Sequence, residues 1–192
     1  MSQIAQTDTT PHALLLRPDG NRIAPWLWGG LLVAAAAIAS GIFTCITPFV
    51  AFGVIAALSF DLTGALLVTA SVWLVNQALG FLMLSYPWTG ETFLWGVGIG
   101  ASSLLATVAA FRVLEVAGRL GKLLAIATAL AVAYGVYEAG LFVTAVCLGG
   151  TDEFTPAVLG EVARLNAVWA LGLGAAYQGR KLLGRSPARV RA

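Results

Sequence analysis

The chemistry open to this 192-residue chain sits in a few polar side chains set within long apolar runs. Glu138 lies with Tyr134 and Leu141 on an i−4, i, i+3 stripe and adjoins Tyr137, so one helix face offers a carboxylate flanked by aromatic hydroxyls. Trp73, Asn76, Gln77 and Gly80 share a second face. Glu161, Arg164 and Asn166 follow in the last apolar run, and Thr44, Cys45 and Thr47 surround a break before Pro48. Ionisable groups at membrane depth cost roughly 2.5–3.5 kcal/mol on insertion scales, so they normally face a bundle interior or a cavity and mark function. A carboxylate, amides and aromatic rings held together would line a pocket. Its expected contributors are Cys45, Thr47, Trp73, Asn76, Gln77, Tyr137, Glu138, Arg164 and Asn166.

Each of these residues also has a purely structural use. Glu161 and Arg164 are three apart and can pair with each other, and Glu138 can serve as the partner of Arg164. Asn76 and Gln77 can act as interhelical glue, worth about 0.6 kcal/mol on average. Tyr86, Trp88, Phe93 and Trp95 suit an interfacial aromatic belt. Cys45 and Cys147 admit three readings: a disulfide in an oxidising compartment, small inert apolar residues, or a soft thiolate ligand for a transition metal. Cys147 suits the inert role, whereas Cys45 lies at the helix break, where backbone groups would face a cavity.

The residues that are missing narrow the chemistry further. His12 is the sole histidine and lies in a polar tail, so no intramembrane imidazole cluster can bind haem, di-iron or zinc, and Ser102 and Ser103 have no histidine base. No phosphate-binding loop appears; Gly96, Gly98 and Gly100 follow no strand and read as packing positions. No charge ring or filter segment suggests a channel, and no inverted repeat suggests a secondary transporter of that build. The chain is expected to be no enzyme and to have no cofactor of its own.

The elements that must position these groups follow from composition and charge. With 59% hydrophobic and 10% charged residues and a mean hydropathy of +0.87, the chain reads as an all-α integral membrane protein, since a soluble globule carries about a quarter charged residues. Residues 62–86, 92–114, 121–148 and 157–179 are long enough to cross a core of roughly 30 Å. The block 25–60 is too long for one span, and Thr47-Pro48 divides it into a helix over 25–45 and a short one over 48–60. At roughly 20 Å by helical rise, that second helix is short or re-entrant. The expectation is a six-helix transmembrane bundle over residues 25–180, with a polar tail at 1–24 and a basic tail at 181–192.

Six crossings with the amino terminus inside put ten of the eleven Lys and Arg residues on the cytoplasmic side, Arg164 being the exception. Both termini are then cytoplasmic, no Lys or Arg falls in the outer loops, and the polar residues above gather in the outer half as an outward-opening pocket. The basic tail is expected to rest on anionic membrane lipids rather than on nucleic acid. The first helix is filled with small residues, and the spacings Gly30 to Ala34, Ala35 to Ala39 and Ala37 to Gly41 make close-packing ridges.

Six helices in fewer than 200 residues, an alanine-rich first helix, a short second helix after a break and an outward pocket resemble the substrate-binding S component of energy-coupling-factor (ECF) vitamin transporters. That resemblance implies a bacterial inner-membrane protein that captures a vitamin and docks through Ala35, Ala39 and Gly41 on a coupling subunit served by separate ATPases. The segment around Cys45-Ile46-Thr47-Pro48, with Trp73-Leu74-Val75-Asn76-Gln77 and Tyr86-Pro87-Trp88, most resembles the solitary BtuM-type proteins for vitamin B12. It implies cobalamin as the bound substrate and Cys45 as the ligand of its cobalt. Two other expectations stand beside this one: a small proton-coupled carrier in which Glu138 titrates, and an accessory subunit of a larger membrane complex.

Overall fold

The computed structural model describes residues 25–43, 47–117 and 121–184. The regular structure in them is helical throughout: α1 (Pro25–Phe43), α2 (Phe49–Ser59), α3 (Leu62–Leu82), α4 (Gly90–Ala117), α5 (Lys122–Leu148) and α6 (Pro156–Gly184), with a single 3-10 turn at Thr151–Glu153 between the last two.

α2 organises the rest. Proline has no amide hydrogen to donate and clashes with a preceding turn, so the chain breaks at Pro48, which occupies the N-cap position instead of the first helical one. The helix is therefore 11 residues long, shorter at both ends than expected, or roughly 16 Å by helical rise. Its sequence is apolar on every side, the pattern of a helix with no solvent face, and every residue from Phe49 to Leu58 is buried. It packs against all five of the other helices. α2 is thus short and enclosed by protein around its whole circumference.

Both ends of α2 fall inside the bundle, so their backbone groups need partners there. At the start, the Ala51 amide donates to Asn166 Oδ1 of α6 at 3.1 Å, and Asn166 Nδ2 in turn donates to the Val162 carbonyl. At the finish, the Tyr177 hydroxyl of α6 donates to the Leu58 carbonyl at 3.0 Å, while the Trp28 indole of α1 donates to Ser59 Oγ at 3.0 Å. Side chains of distant helices satisfy what the short helix cannot satisfy itself.

Small residues bring the neighbours close. A Cβ added to Gly53 would lie 2.5 Å from Thr107 Oγ1, so α2 meets α4 almost backbone to side chain. Thr107 there shares a hydrogen bond with Thr69 of α3 at 3.0 Å. In α4, Gly98 faces Thr144 of α5 and Gly100 faces Trp73 of α3, so these glycines do serve close packing.

The exterior is apolar: Leu67, Leu74, Val97, Leu105, Val116, Leu123 and Leu171 are all more than half exposed, which suits a hydrocarbon surround. α3, α4 and α5 are long and apolar enough to cross a membrane, while α1 and α2 are apolar but shorter. α6 has 29 residues, yet it does not qualify by the same measure; Glu161, Arg164 and Asn166 dilute the expected apolar run at 157–179. α6 also continues through Arg180 and Lys181 to Gly184, past the expected boundary of the basic tail. There the cations Lys122, Arg180 and Lys181 lie 4.9–5.9 Å from the centroid of the Tyr177 ring, and Arg180 lies 5.0 Å from that of Trp28. These contacts join the starts of α1 and α5 to the end of α6. The expected tail 1–24 lies outside the described residues, as does the chain beyond 184.

Because the Asn166 amide serves a buried N–H, Asn166→Leu leaves that donor unsatisfied and should destabilise the fold by about 1–3 kcal/mol. Tyr177→Phe, losing one hydroxyl bond at the other end of α2, should cost about 1 kcal/mol. Unfolding of the detergent-solubilised protein by denaturant or heat measures both.

Candidate functional site

The N-terminal end of α2 stops short of the ends of its neighbours, and the space left above it is a cavity of about 350 Å³. Thr47 and Phe49 form its floor. Asn76 and Gln77 of α3, Trp95 and Ile99 of α4, Tyr137, Glu138 and Leu141 of α5, and Leu159 and Val162 of α6 form its walls, while Tyr86 and Phe154 from the connecting segments border its mouth. Three helices, α1, α3 and α5, end at this side of the bundle and three, α2, α4 and α6, begin there.

A hydroxyl and amide network holds the floor. Asn76 Nδ2 donates to Thr47 Oγ1 at 2.8 Å and to Ser40 Oγ at 3.2 Å, those two hydroxyls are 3.1 Å apart, and Gln77 Nε2 donates to Asn76 Oδ1 at 3.2 Å. One buried amide therefore ties the end of α1 and the start of α2 to α3. Gln77 lies directly on Gly96, where an added Cβ would meet its Oε1 at 2.5 Å, so the glycine lets α3 and α4 close the cavity wall with an amide between them. Tyr134 donates its hydroxyl to the Leu159 carbonyl at 2.6 Å and ties α5 to α6 beside the cavity.

Glu138 is the one Asp, Glu, Lys or Arg of α3, α4 and α5 that lies far from a helix end. Its Oε1 is fully buried and has no hydrogen-bond partner among the described residues. Glu153 is a second carboxylate on the lining, and no Lys or Arg among the described residues borders the cavity. Nor does any group of three or more His, Cys, Asp or Glu side chains among them form a metal site.

Of the residues expected from sequence to build a pocket, Thr47, Asn76, Gln77, Tyr137 and Glu138 are brought together. Three are not. Trp73 is outside the cavity, in the α3–α4 seam, with its indole donating to the Gly96 carbonyl at 2.8 Å. Arg164 is largely exposed and stands 4.0 Å from Glu161, so it is no partner of Glu138. Asn166 is buried at α2, where its amide is committed to backbone. Cys45 lies outside the described residues; Cys147 is a free, exposed thiol on α5. The expected docking ridge is divided: Ala39 is fully buried within the bundle and Ala35 half-buried, while Gly41 is exposed with nothing near it.

Other lining residues carry a different expectation or none. Tyr86 and Trp95, which read as interfacial belt in the sequence, border the cavity, whereas Trp88 and Phe93 stay outside it against Phe81, with ring centroids 5.0 and 4.6 Å away. Phe49, Phe154, Leu159 and Val162 are ordinary apolar residues whose role depends on which helices enclose α2. The i, i+3 spacing of Leu159 and Val162 is the one signal that places them on a common face.

No protein family model matches the chain, and neither the curated proteins nor the solved structures compared with it give a match.

Asn76→Leu removes the amide shared by Ser40 and Thr47 and strands two buried hydroxyls, so it should lower stability by about 1–3 kcal/mol. Gln77→Leu removes a single half-buried bond and should cost less than Asn76→Leu. Thermal unfolding of the two variants side by side tests this ranking, which reverses if Gln77 is the member that holds the floor.

Proposed function

We propose that this chain is a membrane-embedded capture component that binds a small organic molecule in the cavity above α2, in the manner of the S component of ECF vitamin transporters. The observation that carries this reading is a cavity backed by the filled core of the bundle. α2 fills the bundle beneath it with ten consecutive buried residues, so the space ends on a solid floor, as suits a receptor rather than a conduit. Its volume of about 350 Å³ lies within the range of small-molecule sites, about 300–1,000 Å³.

In this reading the six helices form a transmembrane bundle in a bacterial inner membrane. The end opposite the cavity carries Lys122, Arg180 and Lys181, and the cavity end carries Glu91 in the first turn of α4 and Asp152 and Glu153 in the 3-10 turn, which favours a cytoplasmic basic end and both termini inside. The apolar, exposed Trp26, Leu31 and Ile38 on α1 give a coupling subunit or lipid a surface to cover, with ATPases supplied by that partner.

Cobalamin is the ligand suggested by the BtuM-type resemblance. A corrinoid with its nucleotide loop is larger than the cavity, so it would have to sit partly in the mouth between the segments at 83–89 and 149–155, with the Cys45 thiolate as the soft ligand of cobalt. A smaller vitamin enters without any such parting. The second reading, a proton-coupled carrier, draws support from the Glu138 carboxylate oxygen, which has no partner among the described residues.

Growth with cobalamin, followed by purification, a visible spectrum and mass spectrometry of the molecules released on denaturation, tests the proposal. A corrinoid spectrum whose bands move in Cys45→Ala supports vitamin B12. A colourless protein that takes up no added corrinoid but releases another small molecule keeps capture and discards cobalamin. Release of nothing, together with transport by the isolated chain that stops when the proton gradient is collapsed, replaces capture with the carrier. Reporter fusions should place both termini on the cytoplasmic side.

A further inference from the structure

Resting on the capture reading in its small-ligand form, we infer that the cavity selects a ligand bearing a positively charged nitrogen, an ammonium, amidinium or cationic heteroaromatic ring, which it sets against Glu138 while an apolar or flat body lies along Phe49, Tyr137 and Trp95.

The charge balance of the lining leads to this assignment. Glu138 and Glu153 border the cavity, and no Lys or Arg of the described residues does. Arg164, the nearest cation in sequence on α6, is largely exposed and stands by Glu161. Helix ends also contribute fixed partial charge, roughly +0.5 at a start and −0.5 at a finish. With three helices beginning and three ending at this side of the bundle, those contributions cancel to first order. Glu138 and Glu153 are then the formally charged side chains of the lining among the described residues, and in their ionised form they make the site negative.

Hydrogen bonding is compatible with it. Glu138 Oε1 is buried in the lining without a donor among the described residues, and several neighbouring donors serve other groups: the Tyr134 hydroxyl the Leu159 carbonyl, the Asn76 amide two hydroxyls and one Gln77 N–H the Asn76 oxygen. An ionised carboxylate is an acceptor only, so a ligand that brings a donor gives this oxygen its bond. A carboxylate oxygen buried without a donor is unfavourable, and a cationic donor suits it best because charge-assisted bonds are the strong ones. Aromatic rings on the floor, wall and mouth (Phe49, Trp95, Tyr137, Tyr86 and Phe154) add faces that attract a cation. An anionic ligand would bring a second negative charge into the same low-dielectric space, and a neutral one would forgo the charge assistance.

Benzamidinium, benzamide and benzoate share one shape, are small enough for this cavity and carry charges of plus one, zero and minus one. Their binding to the purified full-length protein at neutral pH, read by thermal shift and by ligand-observed NMR, gives a direct test. Benzamidinium should bind about 10- to 100-fold more tightly than benzamide, the advantage of a charge-assisted bond, and benzoate should be weakest. Glu138→Gln should abolish the preference, while Glu153→Gln should leave most of it. Benzamide or benzoate binding as tightly as benzamidinium, binding of none of the three, or a preference that persists in Glu138→Gln overturns the assignment. If Glu138→Gln does not fold, the order of the three probes on the wild-type protein decides alone. The molecule released from the purified protein separates the two levels of inference: a bound anion discards the charge assignment and leaves capture standing. Release of nothing, together with a clear benzamidinium preference, discards capture and leaves the charge assignment standing.

Discussion

A helix of 11 residues cannot reach as far as neighbours of 19 to 29 residues, and most of this architecture follows from that mismatch. Pro48 sets where the helix can begin. An all-apolar surface drives it into the centre of the bundle, where the five other helices can remove it from any solvent. Once there, its ends lie inside the bundle, and α1 and α6 send polar side chains inward to meet them. The void above its start is the remainder of the same mismatch. The cavity and the core are thus two consequences of one length difference.

The buried amides show how polar groups divide between structure and recognition. Asn166 is engaged at both its oxygen and its nitrogen, accepting from one backbone amide and donating to one carbonyl. Asn76 is engaged by hydroxyls and by Gln77 and holds the floor in place. Glu138, on a wall of the same space, keeps an oxygen with no donor among the described residues. Satisfied amides hold a structure rigid, whereas an unsatisfied carboxylate needs something from outside.

Much of this is legible in the residues themselves. The break at Thr47-Pro48 can be read because proline acts locally, through its own missing hydrogen and its own ring. Asn76, Gln77, Tyr137 and Glu138 can be placed near one another because polar groups at similar depth in adjacent helices have few alternatives. Asn166, Arg164 and Trp73 cannot, because depth and helix face do not say which neighbour a side chain meets. Asn166 turns toward the backbone of α2, a helix more than a hundred residues earlier in the chain, and nothing local records that. Tyr86 and Trp95 read as belt because an aromatic residue at a helix end suits a membrane interface and a cavity rim equally well. The small residues of α1 suggest one continuous ridge, but the buried Ala39 and the exposed Gly41 point to different surroundings.

The attachments of α6 have a mechanical consequence. Near its far end, Tyr177 and Arg180 bind it to α1, α2 and α5, and at Asn166 it is pinned to the start of α2. The stretch from Pro156 to Leu165 overhangs the mouth as the free arm of a lever, with Asn166 as fulcrum and the Tyr134–Leu159 bond as its latch. Among the described residues that phenol-to-carbonyl bond is the one side-chain hydrogen bond between this stretch and another helix, so the hold on the arm is concentrated in a single contact besides its apolar packing.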